Sequence, residues 1–290
     1  MTVPTVERQK GSAVTTYATE PKISPVKEEV KAVYDQIAKE YDERIPGAGP
    51  ADDLFTESEL AFLLSKIQPG QKVLDIGCGT GRFTVPLAEL GADTCAVDIS
   101  AGMLDVLSEK LAERGLSADL RLGDMCQLPF PDATFDVVTS FLALMHIPLS
   151  DRPQVWREVR RVLKPGGRMV LGVKNGIFER LFKGDRFAAV DVTDVEAKKL
   201  IFTGCGNGER YEAAWYSFTP QELEALFAQV GMAVTHLKGN IPFAVWLASE
   251  VLADPHAGGL VRTLEATLAD VPPFNYLGYH LLVEAVKPEV

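Results

Sequence analysis

Short apolar runs alternate with amphipathic stretches through most of this chain. Between the runs, apolar residues recur at three- and four-residue spacing, as on the buried face of a helix. Runs of about four to eight residues bounded by turn residues are typical of buried strands. Seven such runs occur, at residues 73–76, 94–98, 119–122, 135–140, 168–173, 232–237 and 279–286. The alternation predicts a doubly wound α/β sheet with helices on both faces and ligands at the carboxyl ends of its strands.

The sequence predicts a single domain at residues 25–290, in which further segments precede or interrupt the alternating strands and helices. The helical pattern before the first strand has Thr56 as an expected N-cap, with Glu59 three residues later. The segment between the fifth and sixth strands mixes charges, glycines and aromatics, and a helical pattern separates the last two strands. Residues 1–24 are predicted to form a flexible arm and residues 25–68 a helical lid. Residues 174–218 are predicted to form a cap insertion and residues 244–273 a helical insertion.

Three glycines, Gly77, Gly79 and Gly81, separate the first strand from the helix that follows. Glycine permits positive φ and close approach of a ligand, and the amino end of a helix offers unpaired N–H groups, so this is a nucleotide-type binding turn. A dinucleotide fingerprint would place its third glycine at position 82, where the chain has Arg82. Asp98, at the end of the second strand, suits ribose hydroxyls, which both NAD proteins and adenosyl-ligand proteins bind in this way.

Five motifs in order carry a resemblance to a known family. They are VLDIGCGTG at 73–81, VDIS at 97–100 with Met103 and Leu104, Gly123-Asp124 with LPF at 128–130, FDVV at 135–138, and VLKPGG at 162–167. Together they resemble the class I S-adenosylmethionine-dependent methyltransferases. Two further segments, YDQIAKEYD at 34–42 and FTPQEL at 218–223, are similar to the small-molecule branch, which includes quinone-biosynthesis and natural-product methyltransferases. The resemblance implies a Rossmann-like, seven-stranded sheet, mostly parallel with an antiparallel last strand.

The resemblance also implies S-adenosyl-L-methionine as the cofactor and assigns residues to it. Asp75 and the backbone of Gly77 and Gly79 would hold the methionine end, with Gly81 in the same turn, and Asp98 would bind the ribose hydroxyls. The remaining assignments are Ile99 and Met103 on the adenine face, Asp124 and the Met125 amide at the adenine edge, Phe141 beside the sulfonium and Tyr41 over the cofactor.

Methyl transfer from a sulfonium is an in-line displacement, in which the protein chiefly aligns acceptor, methyl and sulfur and excludes water. An oxygen acceptor usually needs a base. His146, shortly after the fourth strand, is the candidate catalytic residue, and its alternative role is to fix a loop or line the pocket. Tyr211, Trp215 and Tyr216 either form the wall of an aromatic acceptor site or pack within the cap. No metal site is predicted.

Charge and cysteine usage narrow the partners. The chain has 29 Lys and Arg against 40 Asp and Glu, a net charge of −11, which makes a nucleic-acid partner unlikely. The four cysteines, at positions 78, 95, 126 and 205, form no CxxC pair, which favours a reduced chain. No apolar run reaches membrane-spanning length and no signal-peptide pattern opens the chain, so we expect a cytoplasmic protein. The expected partner is a small-molecule methyl acceptor, and the oligomeric state stays open.

The predicted function is S-adenosylmethionine-dependent methylation of a small molecule. Two alternatives stay open. One is a protein of the same fold that binds the cofactor without methyl transfer, as a regulator or as a scaffold for cyclisation. The other is an NAD-dependent oxidoreductase, against which the GxGxG spacing argues.

Overall fold

The computed structural model describes residues 14–16, 23–44, 50–181, 190–191, 199–203 and 210–289. Its strands form one large sheet and one small sheet. In chain order they are β1 (Val14–Thr16), β2 (Lys72–Ile76), β3 (Asp93–Asp98), β4 (Asp119–Leu122), β5 (Phe135–Phe141), β6 (Leu163–Lys174), β7 (Val190–Asp191), β8 (Lys199–Thr203), β9 (Arg210–Ala214), β10 (Ala233–Asn240) and β11 (His280–Val286).

The large sheet has the strand order β1-β4-β3-β2-β5-β6-β11-β10. Neighbouring strands run parallel except at β11, which is antiparallel to both β6 and β10. The seven predicted strands and the antiparallel last strand are thereby confirmed. One edge strand is additional: β1 pairs with β4, Val14 opposite Asp119, and at three residues it is too short to show an apolar pattern.

Helices lie between the strands, as the apolar spacing predicts. They are α1 (Pro25–Ile37), α2 (Tyr41–Arg44), α3 (Pro50–Leu64), α4 (Thr84–Glu89), α5 (Ala101–Glu113), α6 (Arg152–Val162), α7 (Gly176–Leu181), α8 (Pro220–Gln229), α9 (Ser249–Ala253) and α10 (Pro255–Leu268). Their starts follow side-chain caps where the chain offers them. Ser100 Oγ accepts from the Met103 amide, and Thr219 with Glu222 forms a capping box at α8.

The expected N-cap at Thr56 is wrong, because α3 begins six residues earlier, at Pro50. Thr56 is inside the helix and its Oγ1 accepts a hydrogen bond from Arg82 at 2.8 Å. Glu59 is fully buried instead of capping the helix: its Oε1 accepts from His280 Nδ1 at 2.8 Å, and its Oε2 lies 3.1 Å from Arg82 Nη2. The capping residues in the sequence therefore serve a tertiary cluster between α3 and β11.

Apolar side chains cover both faces of the large sheet. Adjacent residues of β2 point to opposite faces, so Val73 packs with α3 and α4 while Leu74 packs with α6 and α8. On the second face Trp156 and Phe227 meet edge to face, with ring centroids 5.6 Å apart. Truncating a buried aromatic of this kind to alanine costs about 3–5 kcal/mol. These two layers hold the sheet rigid beneath its carboxyl edge.

The two interrupting segments differ in structure. Between β6 and α8 lie α7 and a small antiparallel sheet of β7, β8 and β9, for which the sequence showed no strand pattern. Between β10 and β11 the predicted helices are present as α9 and α10, and Asp254 caps α10 by accepting from the His256 and Ala257 amides. Helices α9 and α10 pack on α3.

Candidate active site

A pocket opens at the carboxyl ends of β2, β3 and β5, where the strand order reverses direction around β2. Crevices of this kind are where ligands bind in open α/β sheets. All but one of the sequence-predicted site residues line it, and the exception is Gly81. The lining residues among them are Tyr41, Asp75, Gly77, Gly79, Asp98, Ile99, Met103, Asp124, Met125, Phe141 and His146.

The three glycines of the turn have positive φ, but their surroundings differ. A Cβ on Gly77 would overlap Ala143, and one on Gly81 would overlap the Leu107 side chain, so these two positions are closed by packing. A Cβ on Gly79 would meet no atom of the described residues within 4 Å, apart from those of its own chain neighbours. Gly79 therefore lines the pocket, whereas Gly81 makes room for helix α5.

Asp98 ends β3 with its carboxylate fixed by the backbone. Its Oδ2 accepts from the Gly79 amide at 2.8 Å, and its Oδ1 accepts from the Ser100 amide at 2.9 Å. Burial raises the pKa of Asp98, while the amide hydrogen bonds oppose that rise. The carboxylate is thus held at one orientation on the pocket wall, with lone pairs left for a ligand's hydroxyl groups.

Asp75, at the carboxyl end of β2, is the second buried acid of the pocket. Its Oδ2 accepts from Thr84 Oγ1 at 2.6 Å. Burial raises the pKa of Asp75 to about 7, against the Thr84 hydrogen bond and with the help of the Asp98 charge. No Lys, Arg or His in the described part of the chain forms an ion pair with Asp75 or Asp98. The pocket therefore suits a ligand that carries positive charge and hydroxyl groups.

Asp124 lines the pocket but is already engaged by the protein. Lys27 Nζ on α1 donates to its Oδ2 at 2.8 Å, and the Cys126 amide donates to its Oδ1 at 2.9 Å. Lys27 also lies 3.1 Å from Asp151 Oδ2. Burial acts to lower the pKa of Lys27, but its hydrogen bonds to Asp124 and Cys126 raise that pKa above its ordinary value. Sequence reasoning missed Lys27, because no local pattern links it to residues so far along the chain.

The amino-terminal helices are bound to the pocket rim by two acids. Asp35 Oδ1 on α1 accepts from Ser100 Oγ at 2.5 Å and from the Gly102 amide at 3.2 Å. Asp42 Oδ1 on α2 accepts from Thr80 Oγ1 in the glycine turn at 2.6 Å. With Lys27, these contacts hold the predicted lid over three different turns of the sheet edge.

His146 lies in the pocket wall with both ring nitrogens hydrogen-bonded. Nδ1 is 2.6 Å from the Ala214 carbonyl oxygen, which can only accept, so Nδ1 carries the proton. Nε2 then accepts from Tyr34 Oη at 2.7 Å. Burial lowers the pKa of His146 to about 4, with the Ala214 hydrogen bond opposing the fall. The ring is therefore neutral at pH 7 and joins α1 to β9.

Aromatic packing closes the far side of the pocket. Phe141 stacks on Phe83, with ring centroids 4.2 Å apart, and Gly172 on β6 leaves the space that the Phe141 ring fills. Leu142, the next residue, has φ +56°, a conformation that costs a branched residue about 1–2 kcal/mol. Such local strain is concentrated at functional sites.

Of the three aromatics predicted for an acceptor wall, Trp215 is buried against Met145, and the Tyr216 amide donates to the Met145 carbonyl at 2.7 Å. Tyr211 belongs to β9, and its side chain is outside the described part of the structure. Cys205 and most of the predicted arm at residues 1–24 are outside it as well.

Within the described ranges of the chain, no cluster of three or more His, Cys, Asp or Glu side chains has the spacing to hold a metal ion. No helix in the same ranges has the length and apolar character needed to cross a membrane.

The chain is similar in sequence to proteins described as methyltransferases. Residues 74–171 match the family model described as "Methyltransferase domain". A demethylmenaquinone methyltransferase of Symbiobacterium thermophilum is 34% identical over 161 residues, which are 53% of this chain and 62% of that protein. This chain spans between 45% and 62% of the length of the curated relatives that it matches.

Two solved structures share the fold over most of their length. The magnesium protoporphyrin IX methyltransferase ChlM of Synechocystis PCC 6803, crystallised with bound SAH, has a TM-score of 0.56 at 16% identity, covering 90% of this chain and 99% of that one. The [4+2]-cyclase SpnF has a TM-score of 0.58 at 19% identity, covering 92% and 98%.

The sheet topology is that of a Rossmann-like methyltransferase fold, as the resemblance implied. The matched family model begins within β2 and ends within β6, so it covers the central strands that border the pocket.

Proposed function

We propose that this chain binds S-adenosyl-L-methionine in the pocket and transfers its methyl group to a small-molecule acceptor by in-line displacement. The observation that carries the proposal is the pair of buried acids, Asp75 and Asp98, neither ion-paired among the described residues, at a glycine turn. A ligand with an amino group and a sulfonium would supply the complementary charge, and its ribose hydroxyls would donate to Asp98. The methyltransferase-domain match over 74–171 supports the same assignment.

The proposed residue roles follow from where the side chains lie. When bound, the cofactor would supply an electrophilic methyl group on a sulfonium. Asp75 would face its amino group, the open position at Gly79 would let its methionine end approach the backbone, and Asp98 would hold its ribose. Ile99 and Met103 would pack on the adenine, and Asp124 with the Met125 amide would lie at its edge.

The lid and Phe141 would exclude water. Tyr41 and Tyr34 line the pocket from the amino-terminal helices, with ring centroids 5.8 Å apart. Burial raises the pKa of Tyr41 to about 12 and also raises the pKa of Tyr34, so both phenols stay protonated. For His146 we propose the positioning role: its ring nitrogens are occupied by Tyr34 and Ala214, which leaves no free lone pair for an acceptor proton.

Calorimetric titration with S-adenosylmethionine tests the proposal. Asp98→Ala should weaken binding about a hundredfold, because two hydrogen bonds to a charged group are lost. Asp93→Ala is the matched control, since Asp93 is at the other end of the same strand and half exposed. The proposal is wrong if the wild type does not bind or if Asp98→Ala binds as well as Asp93→Ala.

The proposal also covers the acceptor class, the localisation and the domain organisation of the protein. The net charge of −11 supports a small molecule over a nucleic acid as the acceptor, and supports no particular oligomeric state. We propose a cytoplasmic protein with a single domain at 25–290, in which 25–68 form the lid, 174–218 the cap and 244–273 a helical insertion.

One second function has a specific observation behind it, the similarity in fold to a [4+2]-cyclase. A cyclisation scaffold would bind the cofactor without consuming it. Incubation with methyl-labelled S-adenosylmethionine and a panel of phenols, carboxylates and amines separates the two. Appearance of the demethylated cofactor together with a labelled product supports methyl transfer, and an intact cofactor with tight binding supports the scaffold.

A further inference from the structure

Lys174, the last residue of β6, is a buried cation at the carboxyl edge of the sheet. The residue is 7% exposed, and its Nζ donates to Tyr279 Oη at 2.8 Å. Nζ also lies 4.0 Å from the centroid of the Tyr279 ring and 4.8 Å from that of the Trp215 ring. Aromatic faces attract an ammonium group but do not neutralise it.

No carboxylate of the described chain lies within ion-pair distance of Lys174 Nζ, although the other buried lysine, Lys27, has two. The buried carboxylate of Glu59 interacts with Lys174 electrostatically from beyond that distance, so the burial of the ammonium group is offset by a longer-range charge and not by a direct ion pair. The Trp215 indole adds a second donor, since its Nε1 is buried without a hydrogen-bond acceptor among the described residues. An ammonium group and an indole N–H that both lack an anionic acceptor among the described residues are donors suited to an anionic oxygen.

This cation is close to the pocket through Leu142. The Leu142 amide donates to the Gly172 carbonyl on β6, two residues before Lys174. The Leu142 side chain lines the pocket and also packs against Met145 and Trp215. One residue with strained backbone therefore separates the cofactor pocket from the Lys174 site.

The surroundings of the site are held in place by a neighbouring amide. Asn175 Nδ2 donates to the carbonyls of Tyr276 at 2.8 Å and Gly278 at 2.7 Å, which fixes the turn before Tyr279. Lys174 lies directly opposite His280 on β11. The cation ends a central strand, Tyr279 directly precedes β11, and Trp215 directly follows β9.

We propose that Lys174 and Trp215 form the subsite for an anionic oxygen of the methyl acceptor. The acceptor class is an aromatic or conjugated molecule bearing a phenolate, enolate or carboxylate, with its ring against Trp215 and Tyr279. This inference rests on the proposed function and specifies the substrate class of the same site. An acceptor that arrives ionised needs no base, in keeping with the fully occupied nitrogens of His146.

The test uses two probes that share a ring system and differ in charge. They are 8-anilino-1-naphthalenesulfonate, an anion, and N-phenyl-1-naphthylamine, which is neutral. Fluorescence titrations would be run on the protein saturated with S-adenosylhomocysteine, after calorimetry has measured the affinity for that ligand. Lys174→Met should weaken binding of the anionic probe by about tenfold or more, as for loss of one charge-assisted hydrogen bond. Binding of the neutral probe should change less than about twofold.

Lys164→Met is the matched control, because Lys164 lies at the opposite end of the same strand and pairs with Asp136. Lys174→Arg keeps the charge and should keep the anionic probe within a few fold, which covers the case in which Lys174→Met does not fold. Trp215→Phe should weaken the anionic probe while retaining the ring.

The outcomes separate the two proposals. Failure of the wild type to bind S-adenosylhomocysteine overturns the proposed function. Normal binding of that ligand, with an anionic probe that binds neither the wild type nor any variant, or that loses no affinity in Lys174→Met, overturns the Lys174 subsite alone. Equal loss of both probes also overturns it, because the effect would then be steric.

Discussion

Lys27 and Asp124 are 97 residues apart in the chain, yet Lys27 Nζ donates to Asp124 Oδ2 at 2.8 Å. The contact joins the first helix of the lid to the turn after β4, on the wall of the pocket. A carboxylate that sequence motifs assign to an adenine edge is therefore also an anchor for the lid.

Lys27→Met should loosen the lid and lower both stability and cofactor affinity. Loss of a buried hydrogen bond between charged groups costs about 1.5–3 kcal/mol of unfolding free energy, and an unpaired Asp124 adds to that loss. Denaturant unfolding and calorimetry with S-adenosylmethionine measure the two effects. Lys39→Met, an exposed lysine in the turn after α1, serves as control. Adding Asp124→Asn to Lys27→Met should recover part of the stability; no recovery would contradict the pairing.

Gly79→Ala and Gly81→Ala should fail in different ways. Both positions have positive φ, so each alanine costs about 1 kcal/mol or more of unfolding free energy. At Gly81 the methyl group would also overlap Leu107, so we expect a large loss of stability. At Gly79 the methyl group meets no atom of the described residues beyond its chain neighbours and points into the pocket, so cofactor affinity should fall while the fold survives. Thermal melts and calorimetry distinguish them, and a Gly79→Ala variant with unchanged affinity would remove Gly79 from the site.

His146 should make the fold sensitive to acid. Its pKa is about 4 in the folded chain and near 6.5 when exposed, so between those values only the unfolded state binds the proton. Unfolding free energy should therefore fall as the pH is lowered from about 6.5 to 4, by at most about 3 kcal/mol from this group. His146→Gln should lack that part of the pH dependence. Tyr34→Phe, which leaves the imidazole in place, should retain it; identical slopes in all three proteins would refute the assignment.

Glu59 should have the opposite pH dependence. Burial raises its pKa to about 7, against the positive charges of Arg82 and Lys174, so the folded chain binds a proton that the unfolded chain releases above about pH 4.5. Its contribution to stability is full below that pH and is lost as the pH rises through 7. The unfolding free energy of Glu59→Gln should therefore rise relative to that of the wild type between pH 5 and 8. Urea unfolding at a series of pH values measures this difference. Glu57→Gln, an exposed glutamate in the same helix, should show no such trend.

Local patterns were enough to predict the sheet and the glycine turn, because strand period, turn glycines and the acid at the end of β3 are encoded within a few residues. Contacts across the fold were not predictable in that way. The contacts of Lys27 with Asp124 and of Lys174 with Trp215 depend on the order of the strands in the sheet, which local patterns do not contain. The same limit explains Thr56, whose capping pattern is overridden by the buried cluster of Glu59, Arg82 and His280.

His146 has a kinetic consequence because its ring touches both sides of the site. Tyr34 belongs to α1, which lines the proposed cofactor pocket, and Ala214 ends the strand that directly precedes Trp215. Binding of the methyl donor should therefore order Ala214 and Trp215, on the proposed acceptor side of the site, before an acceptor binds. We expect an ordered addition of substrates, donor first, in which the demethylated donor leaves last and inhibits competitively against the donor but noncompetitively against the acceptor.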